Sequence, residues 1–115
     1  MLVACTLLPY LPGLTSKRRA LRGEYLRLLS EARILLSQYS VRRWPEVLAK
    51  WERRARFAPW ILLQHFAKAT KSKLGGMGSL GDVVIFRDGK SEEGANHRLL
   101  EIVGALHVVT TKIAG

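Results

Sequence analysis

The residues whose spacing comes closest to a known chemical motif are the glycines of residues 75–81, Gly-Gly-Met-Gly-Ser-Leu-Gly. From Gly76 to Gly81 the sequence reads G-x-G-x-x-G, the spacing with which dinucleotide-binding loops bring main-chain amides to a pyrophosphate. That motif needs a strand before it and a helix after it, because the helix N-terminus holds the phosphate. Here a helical pattern precedes the glycines and the strand-like run Val83–Phe86 follows them. We therefore predict a structural loop and no nucleotide cofactor.

Nucleophilic or metal chemistry would have to come from Ser79, Asp82 and three scattered histidines, His65, His97 and His107. Ser79 does not stand in a G-x-S-x-G elbow, and no two histidines show the i, i+4 spacing of a helical metal site. His65 and His107 fall near apolar stripes, which predicts structural roles for them. Ser79 and Asp82 are expected to bind nearby main-chain amides and fix the turn, and some of the loop glycines are expected to have positive φ. We predict no catalytic residue, no metal and no cofactor.

The N-terminal residues and the cysteine content indicate which compartment the protein occupies and where its domain begins. Cys5 is the lone cysteine, so an intrachain disulfide and a cysteine-based zinc site are excluded, and a reducing, cytoplasmic location is expected. Residues 1–14 are apolar, but Pro9, Pro12 and Gly13 interrupt them, and a spanning helix needs about 20 apolar residues. We expect residues 1–14 to be a tail outside the core and residues 15–115 to form a single helical domain.

The charge is strongly positive and unevenly distributed. The net charge is +10, and residues 17–73 hold 15 basic and 4 acidic residues, whereas residues 74–115 hold 4 basic and 5 acidic ones. Such asymmetry indicates a polyanionic or acidic partner. The alternative is a solvated surface in a protein that happens to be basic.

A group of basic residues around the second predicted helix is the candidate polyanion-binding site, because several of its members recur at spacings of three and four. Clustered cations of this kind suit phosphates, without sequence-specific base recognition. The tryptophans among them could stack on bases or anchor the core; we favour the core for Trp51 and Trp60 and leave Trp44 open. The candidate residues are Arg42, Arg43, Lys50, Arg53, Arg54 and Arg56.

The elements that must position these residues follow from the apolar periodicity. Apolar residues at spacings of three and four predict helices over about 17–39, from Pro45 onward, over 59–71 and over 94–113. Thr15 or Ser16 is the expected N-cap of the first helix, and the third is expected to be buried on much of its surface. Asp88-Gly89 predicts a turn. The fold class is therefore mainly α: a compact bundle of three to four helices, with a glycine-rich loop and at most one short strand or hairpin before the last helix. The expected core includes Leu28, Leu35, Trp51, Phe66, Leu99, Ile102 and Leu106.

The stretch from Trp44 through Asp82 resembles a family of small, uncharacterised bacterial helical proteins. In that family a Trp-containing helix and a second short helix lead into a Gly-Gly-Met-Gly-Ser-x-x-Asp signature, here Gly75, Gly76, Met77, Gly78, Ser79 and Asp82. The family has Asn where Gly81 stands, and its members are not especially basic. The resemblance covers about residues 26–113 and implies the fold and a domain of unknown function. Its association with immunity-type proteins is loose.

Three functions of different classes remain open on the sequence. The first is a small non-enzymatic protein-interaction module. The second is a basic nucleic-acid-binding domain without sequence specificity. The third is an enzyme with a site at the glycine-rich loop. We rank them in that order, with a protein partner first and nucleic acid second, and we leave the oligomeric state open.

Overall fold

The computed structural model describes the main chain of residues 12–75 and 79–115, and the side chains from Ser16 onward. This part of the chain is mainly α and contains one two-stranded antiparallel hairpin before the last helix, so the predicted fold class is confirmed. None of its helices is both long enough and apolar enough to cross a membrane. The elements are α1 (Pro12–Gln38), α2 (Trp44–Phe57), α3 (Trp60–Ser72), a 3₁₀ turn (Leu80–Asp82), β1 (Phe86–Arg87), β2 (Lys90–Ser91) and α4 (Glu93–Ala114).

Helix α1 is the centre of the bundle, because both α2 and α4 pack along it and α3 packs against α4. Tyr25 on α1 is fully buried and hydrogen-bonds to Thr70 on α3, with 2.5 Å between the two hydroxyl oxygens. Four of the seven predicted core residues are buried, and Leu35, Trp51 and Phe66 lie half-buried at the edge of the core. The buried four are Leu28, Leu99, Ile102 and Leu106.

The ends of α1 differ from the sequence prediction. The helix begins at Pro12 rather than near residue 17, so Thr15 and Ser16 lie inside it and the predicted cap was wrong. Proline fits the first helical position, where its missing N–H costs no hydrogen bond. The expected tail is therefore shortened, and residues 1–11 of it lie outside the described part of the chain.

The glycine-rich loop is tight because two main-chain segments meet there. The Gly81 N–H donates to the Leu74 carbonyl at 3.1 Å, and a Cβ built on Gly81 would fall well within 3.0 Å of that carbonyl oxygen. Some of the loop glycines were expected to have positive φ; Gly75 and Gly81 do not have it, so that prediction now rests on the glycines of residues 76–78. At Gly81 the close approach of the main chain is the reason for glycine. Residues 76–78, which include Gly76, Met77 and Gly78 of the signature, lie outside the described residues.

The hairpin is formed by the turn that the sequence predicted. Asp88 and Gly89 have φ of 52° and 80°, as in the two-residue type I′ turns that join antiparallel strands. Asn96 on α4 then binds both main-chain groups of Ile85, accepting from its N–H at 2.6 Å and donating to its carbonyl at 3.0 Å. On the other side, the Arg87 guanidinium lies 5.4 Å from the centre of the Tyr39 ring. The hairpin is thus fixed between α4 and the end of α1.

Candidate interaction surface

The residues considered for catalysis lie partly at the surface and partly in the interior of the described chain. Although His65 and His107 fall near apolar stripes in the sequence, both side chains are exposed. On the surface of α4, the Nε2 atom of His97 lies 3.8 Å from the Oε2 atom of Glu101. Ser79 is buried and Asp82 is exposed. No group of three or more His, Cys, Asp or Glu side chains in residues 16–75 and 79–115 is placed to hold a metal ion.

A small cavity lies beside the buried hydroxyl pair of α1 and α3. Its volume is about 50 Å³, and Tyr25, Thr70, Trp51 and Phe66 are among the residues that line it. A space of this volume is large enough for one or two water molecules and too small for a substrate. Burial raises the pKa of the Tyr25 phenol, and its hydrogen bond to Thr70 opposes that rise. Tyr25 is therefore a neutral hydrogen-bonding group of the core.

The six predicted polyanion-binding residues are all exposed, but they do not form one cluster. Arg42 and Arg43 precede α2, whereas Arg56 lies in its last turn. A helix of this length separates its ends by about 20 Å. The exposed carboxylate Glu46 also lies on α2 between Arg43 and Lys50.

A second group of arginines, which the sequence analysis did not single out, meets the far end of α2. Arg18, Arg19 and Arg22 on α1 line a shallow depression together with Trp60, the first residue of α3. The Arg18 guanidinium lies 5.0 Å from the centre of the Trp60 ring. The Arg22 Nη1 donates to the Ala55 carbonyl at 2.6 Å. These contacts bring the starts of α1 and α3 to the last turn of α2.

The sequence contains a signal for this cluster. Arg18, Arg22, Tyr25 and Leu29 are spaced by four, three and four residues, so the arginines continue the buried face of α1 toward its N-terminus. Cations that continue the core-facing side of a helix indicate that this side contacts another part of the protein beyond the end of the apolar core. The partner of that contact, Trp60, lies too far along the chain for periodicity to identify it.

Large apolar side chains are exposed at the same junction. Phe57 at the end of α2 is 84% exposed, and Ile61 and Leu62 in the first turn of α3 are 67% and 43% exposed. The sequence predicted that α3 would be buried on much of its surface, and for Ile61 and Leu62 this prediction was wrong. We call this region the junction surface; it comprises Arg18, Arg19, Arg22, Arg53, Arg56, Phe57, Trp60 and Ile61.

The positive charge of the junction surface is not balanced by nearby carboxylates. Three arginines outside this surface are paired: Arg27 with Glu24 and Glu31, Arg33 with Glu52 at 2.5 Å, and Arg98 with Glu31 and Glu101. Within residues 16–75 and 79–115, no ion pair involves any arginine of the junction surface. Its potential is therefore available to an anionic partner.

No protein-family model, no curated protein and no solved structure matches this chain. The resemblance of the loop signature to the small bacterial family stays a prediction from the sequence.

Proposed function

We propose that this protein is a small non-enzymatic protein-interaction module and that the junction surface is its binding site. The observation that carries the proposal is the exposure of Phe57 and Ile61 beside arginines that have no carboxylate partner in the described residues. Exposed apolar side chains cost free energy in water, and a contiguous group of them is typical of a surface that a partner covers. Aromatic residues and arginine are also the types that contribute most to protein–protein binding.

The arrangement resembles the anatomy of a protein interface. Phe57 and Ile61 supply an apolar centre, and arginines of α1 and α2 supply a polar margin. The resemblance of the loop signature to small bacterial proteins, with their loose link to immunity functions, agrees with this proposal. The lone Cys5 favours a reducing, cytoplasmic setting.

A second candidate function is binding to nucleic acid without sequence specificity. It is favoured by the unpaired arginines around Trp60, since arginines bind phosphates and an indole ring stacks on bases. Two observations favour the protein partner instead. The sugar–phosphate backbone offers less apolar surface to cover the aliphatic Ile61 than a protein segment does, and the exposed Glu46 interrupts the line of cations along α2.

The test is capture of partners from a native lysate, run in parallel with and without nuclease treatment. The immobilised full-length protein is compared with a Phe57→Asp, Ile61→Asp variant and with a control, Leu100→Asp, Val108→Asp, which changes two exposed apolar residues of α4. We expect a protein that the wild type and the control retain and that the junction variant loses. Equal retention by all three proteins would reject the junction surface as the binding site. Capture that disappears with nuclease would favour the nucleic-acid function.

A further inference from the structure

The depression between α1 and α3 has an unusual concentration of fixed positive charge. Arg18, Arg19 and Arg22 lie within five positions of one helix, and all three line it together with Trp60. Like charges at i, i+4 destabilise a helix slightly, so Arg18 and Arg22 repel each other. In the described residues, no carboxylate relieves that repulsion.

Two of the three guanidinium groups are already positioned. Arg18 is placed by the Trp60 ring, at 5.0 Å, and Arg22 by its hydrogen bond to the Ala55 carbonyl. A charged group that is held before binding loses less conformational entropy when a ligand arrives. Arg19 is exposed and has no hydrogen bond within the described residues. The depression therefore combines two guanidinium groups in fixed positions with a third cation that can move to bind an anion.

The chemistry of the ligand follows from the donors and their neighbours. A guanidinium donates two parallel hydrogen bonds to a carboxylate or a phosphate, and its fork matches both. The neighbours decide between the two, because Trp60 in the depression is flanked along the chain by the exposed apolar side chains of Phe57 and Ile61. A protein segment that carries a carboxylate close to an apolar side chain satisfies both features. A phosphate backbone satisfies only the first.

We propose that the depression lined by Arg18, Arg19, Arg22 and Trp60 is a carboxylate-binding site, which seats an Asp or Glu side chain of the partner protein. Apolar side chains of the same acidic segment then cover Phe57 and Ile61. This inference rests on the proposed function and specifies the partner: an acidic, amphipathic segment of a protein.

The experiment uses a defined probe, a short capped peptide that alternates Glu with Leu, titrated into the full-length protein. Binding is followed by NMR through the indole N–H of Trp60 and the side-chain N–H signals of the arginines. The comparison peptide has Gln in place of every Glu. The variant is Arg18→Gln, Arg19→Gln, which spares Arg22 because that side chain binds the end of α2. The matched control is Arg42→Gln, Lys68→Gln, two exposed cations outside the junction surface.

We expect the Glu peptide to shift the Trp60 indole signal and the Gln peptide to bind at least about tenfold more weakly, since a charge-assisted hydrogen bond is lost. The Arg18/Arg19 variant should bind the Glu peptide more weakly than the wild type by a similar factor, and the control variant should bind it with unchanged affinity. No binding of the Glu peptide, equal binding of both peptides, or equal loss in variant and control would overturn the proposal.

Further probes distinguish a carboxylate ligand from other anions. Inorganic phosphate, a short DNA duplex and phosphatidylserine vesicles are titrated under the same conditions, and tighter binding of any of them than of the Glu peptide would overturn the carboxylate assignment. The lysate experiment and the peptide titration test separate claims, so one can give a negative result without the other. If the Phe57/Ile61 variant no longer captures a protein that the wild type retains, but the Glu peptide does not bind, the proposed function is supported and the carboxylate site is rejected.

Discussion

The Arg22 guanidinium donates a hydrogen bond of 2.6 Å to the main-chain carbonyl of Ala55, and this contact joins the basic start of α1 to the last turn of α2. The last four carbonyls of a helix have no partner within the helix, and they form the negative end of its dipole. Arg22 therefore serves the fold as a cap, whereas Arg18 and Arg19 beside it do not bind α2. The two roles can be separated by mutation.

Replacing Arg22 with Ala should lower the free energy of unfolding by about 1–2 kcal/mol, because a charge-assisted hydrogen bond to a half-buried carbonyl is lost. The measurement is urea denaturation followed by circular dichroism. Arg19→Ala is the control, since Arg19 is exposed and donates no hydrogen bond within the described residues; it should change stability by less than about 0.5 kcal/mol. Equal effects of the two substitutions would show that the Ala55 contact does not cap α2.

Gly81→Ala should destabilise the fold by about 1–3 kcal/mol, because its Cβ would overlap the Leu74 carbonyl that the Gly81 N–H binds. Gly75→Ala is the matched control within the same loop. Gly75 has open space around a Cβ and no positive φ, so alanine there should be neutral or slightly stabilising. Thermal unfolding of both variants measures the difference. If Gly81→Ala kept full stability and lost only partner binding, the loop would be functional rather than structural.

The sequence predicted the elements well because their signals are local. Spacings of three and four identified the helices, and Asp88-Gly89 identified the turn of the hairpin. These signals depend on residues that are close along the chain. They specify which side of a helix is apolar, and four of the predicted core residues, such as Leu106, are fully buried as expected.

The binding surface could not be predicted in the same way because its parts are distant along the chain. Arg18 and Trp60 are 42 positions apart and meet through tertiary packing alone. Exposure of Ile61 depends on how much of α3 its neighbours cover, and an apolar run in the sequence does not state that. The sequence therefore predicted a helix buried on much of its surface, although in the run from Trp60 to Leu63 only Leu63 is fully buried.

Ser40→Gly should stabilise the protein by about 0.5–1 kcal/mol. Ser40 has φ of 56° and follows α1 in the arrangement that usually holds glycine: the Val41 N–H donates to the Leu36 carbonyl at 3.0 Å, and the Ser40 N–H donates to the Ser37 carbonyl at 3.2 Å. Glycine adopts this conformation without the steric cost of a Cβ. Chemical denaturation measures the gain, and Ser37→Gly, inside the helix, should instead lower the free energy of unfolding by about 0.5 kcal/mol. A loss at Ser40 would show that its side chain stabilises the end of α1.

Tyr25→Phe should cost about 1–2 kcal/mol near neutral pH, since the buried hydroxyl of Thr70 loses its partner. The cost should shrink at alkaline pH. Burial raises the pKa of Tyr25 above its ordinary value of 10.0, so the unfolded chain ionises first as pH rises. The stability contributed by the neutral phenol is therefore fully present below pH 10.0 and is lost as pH rises toward the folded-state pKa. Phenylalanine has no such proton.

The measurement is the free energy of unfolding of wild type and Tyr25→Phe in urea, at about pH 8 and about pH 11, on either side of the ordinary tyrosine pKa. The difference between the two proteins should narrow with rising pH, and taking the difference removes the titration of the other groups that both proteins share. Thr70→Val is the matched control, because it removes the same hydrogen bond but keeps the phenol of Tyr25. It should retain the alkaline loss of stability that Tyr25→Phe removes. A constant difference between wild type and Tyr25→Phe across this range would mean that Tyr25 ionises equally readily in the folded and unfolded chains, contrary to its burial against Thr70.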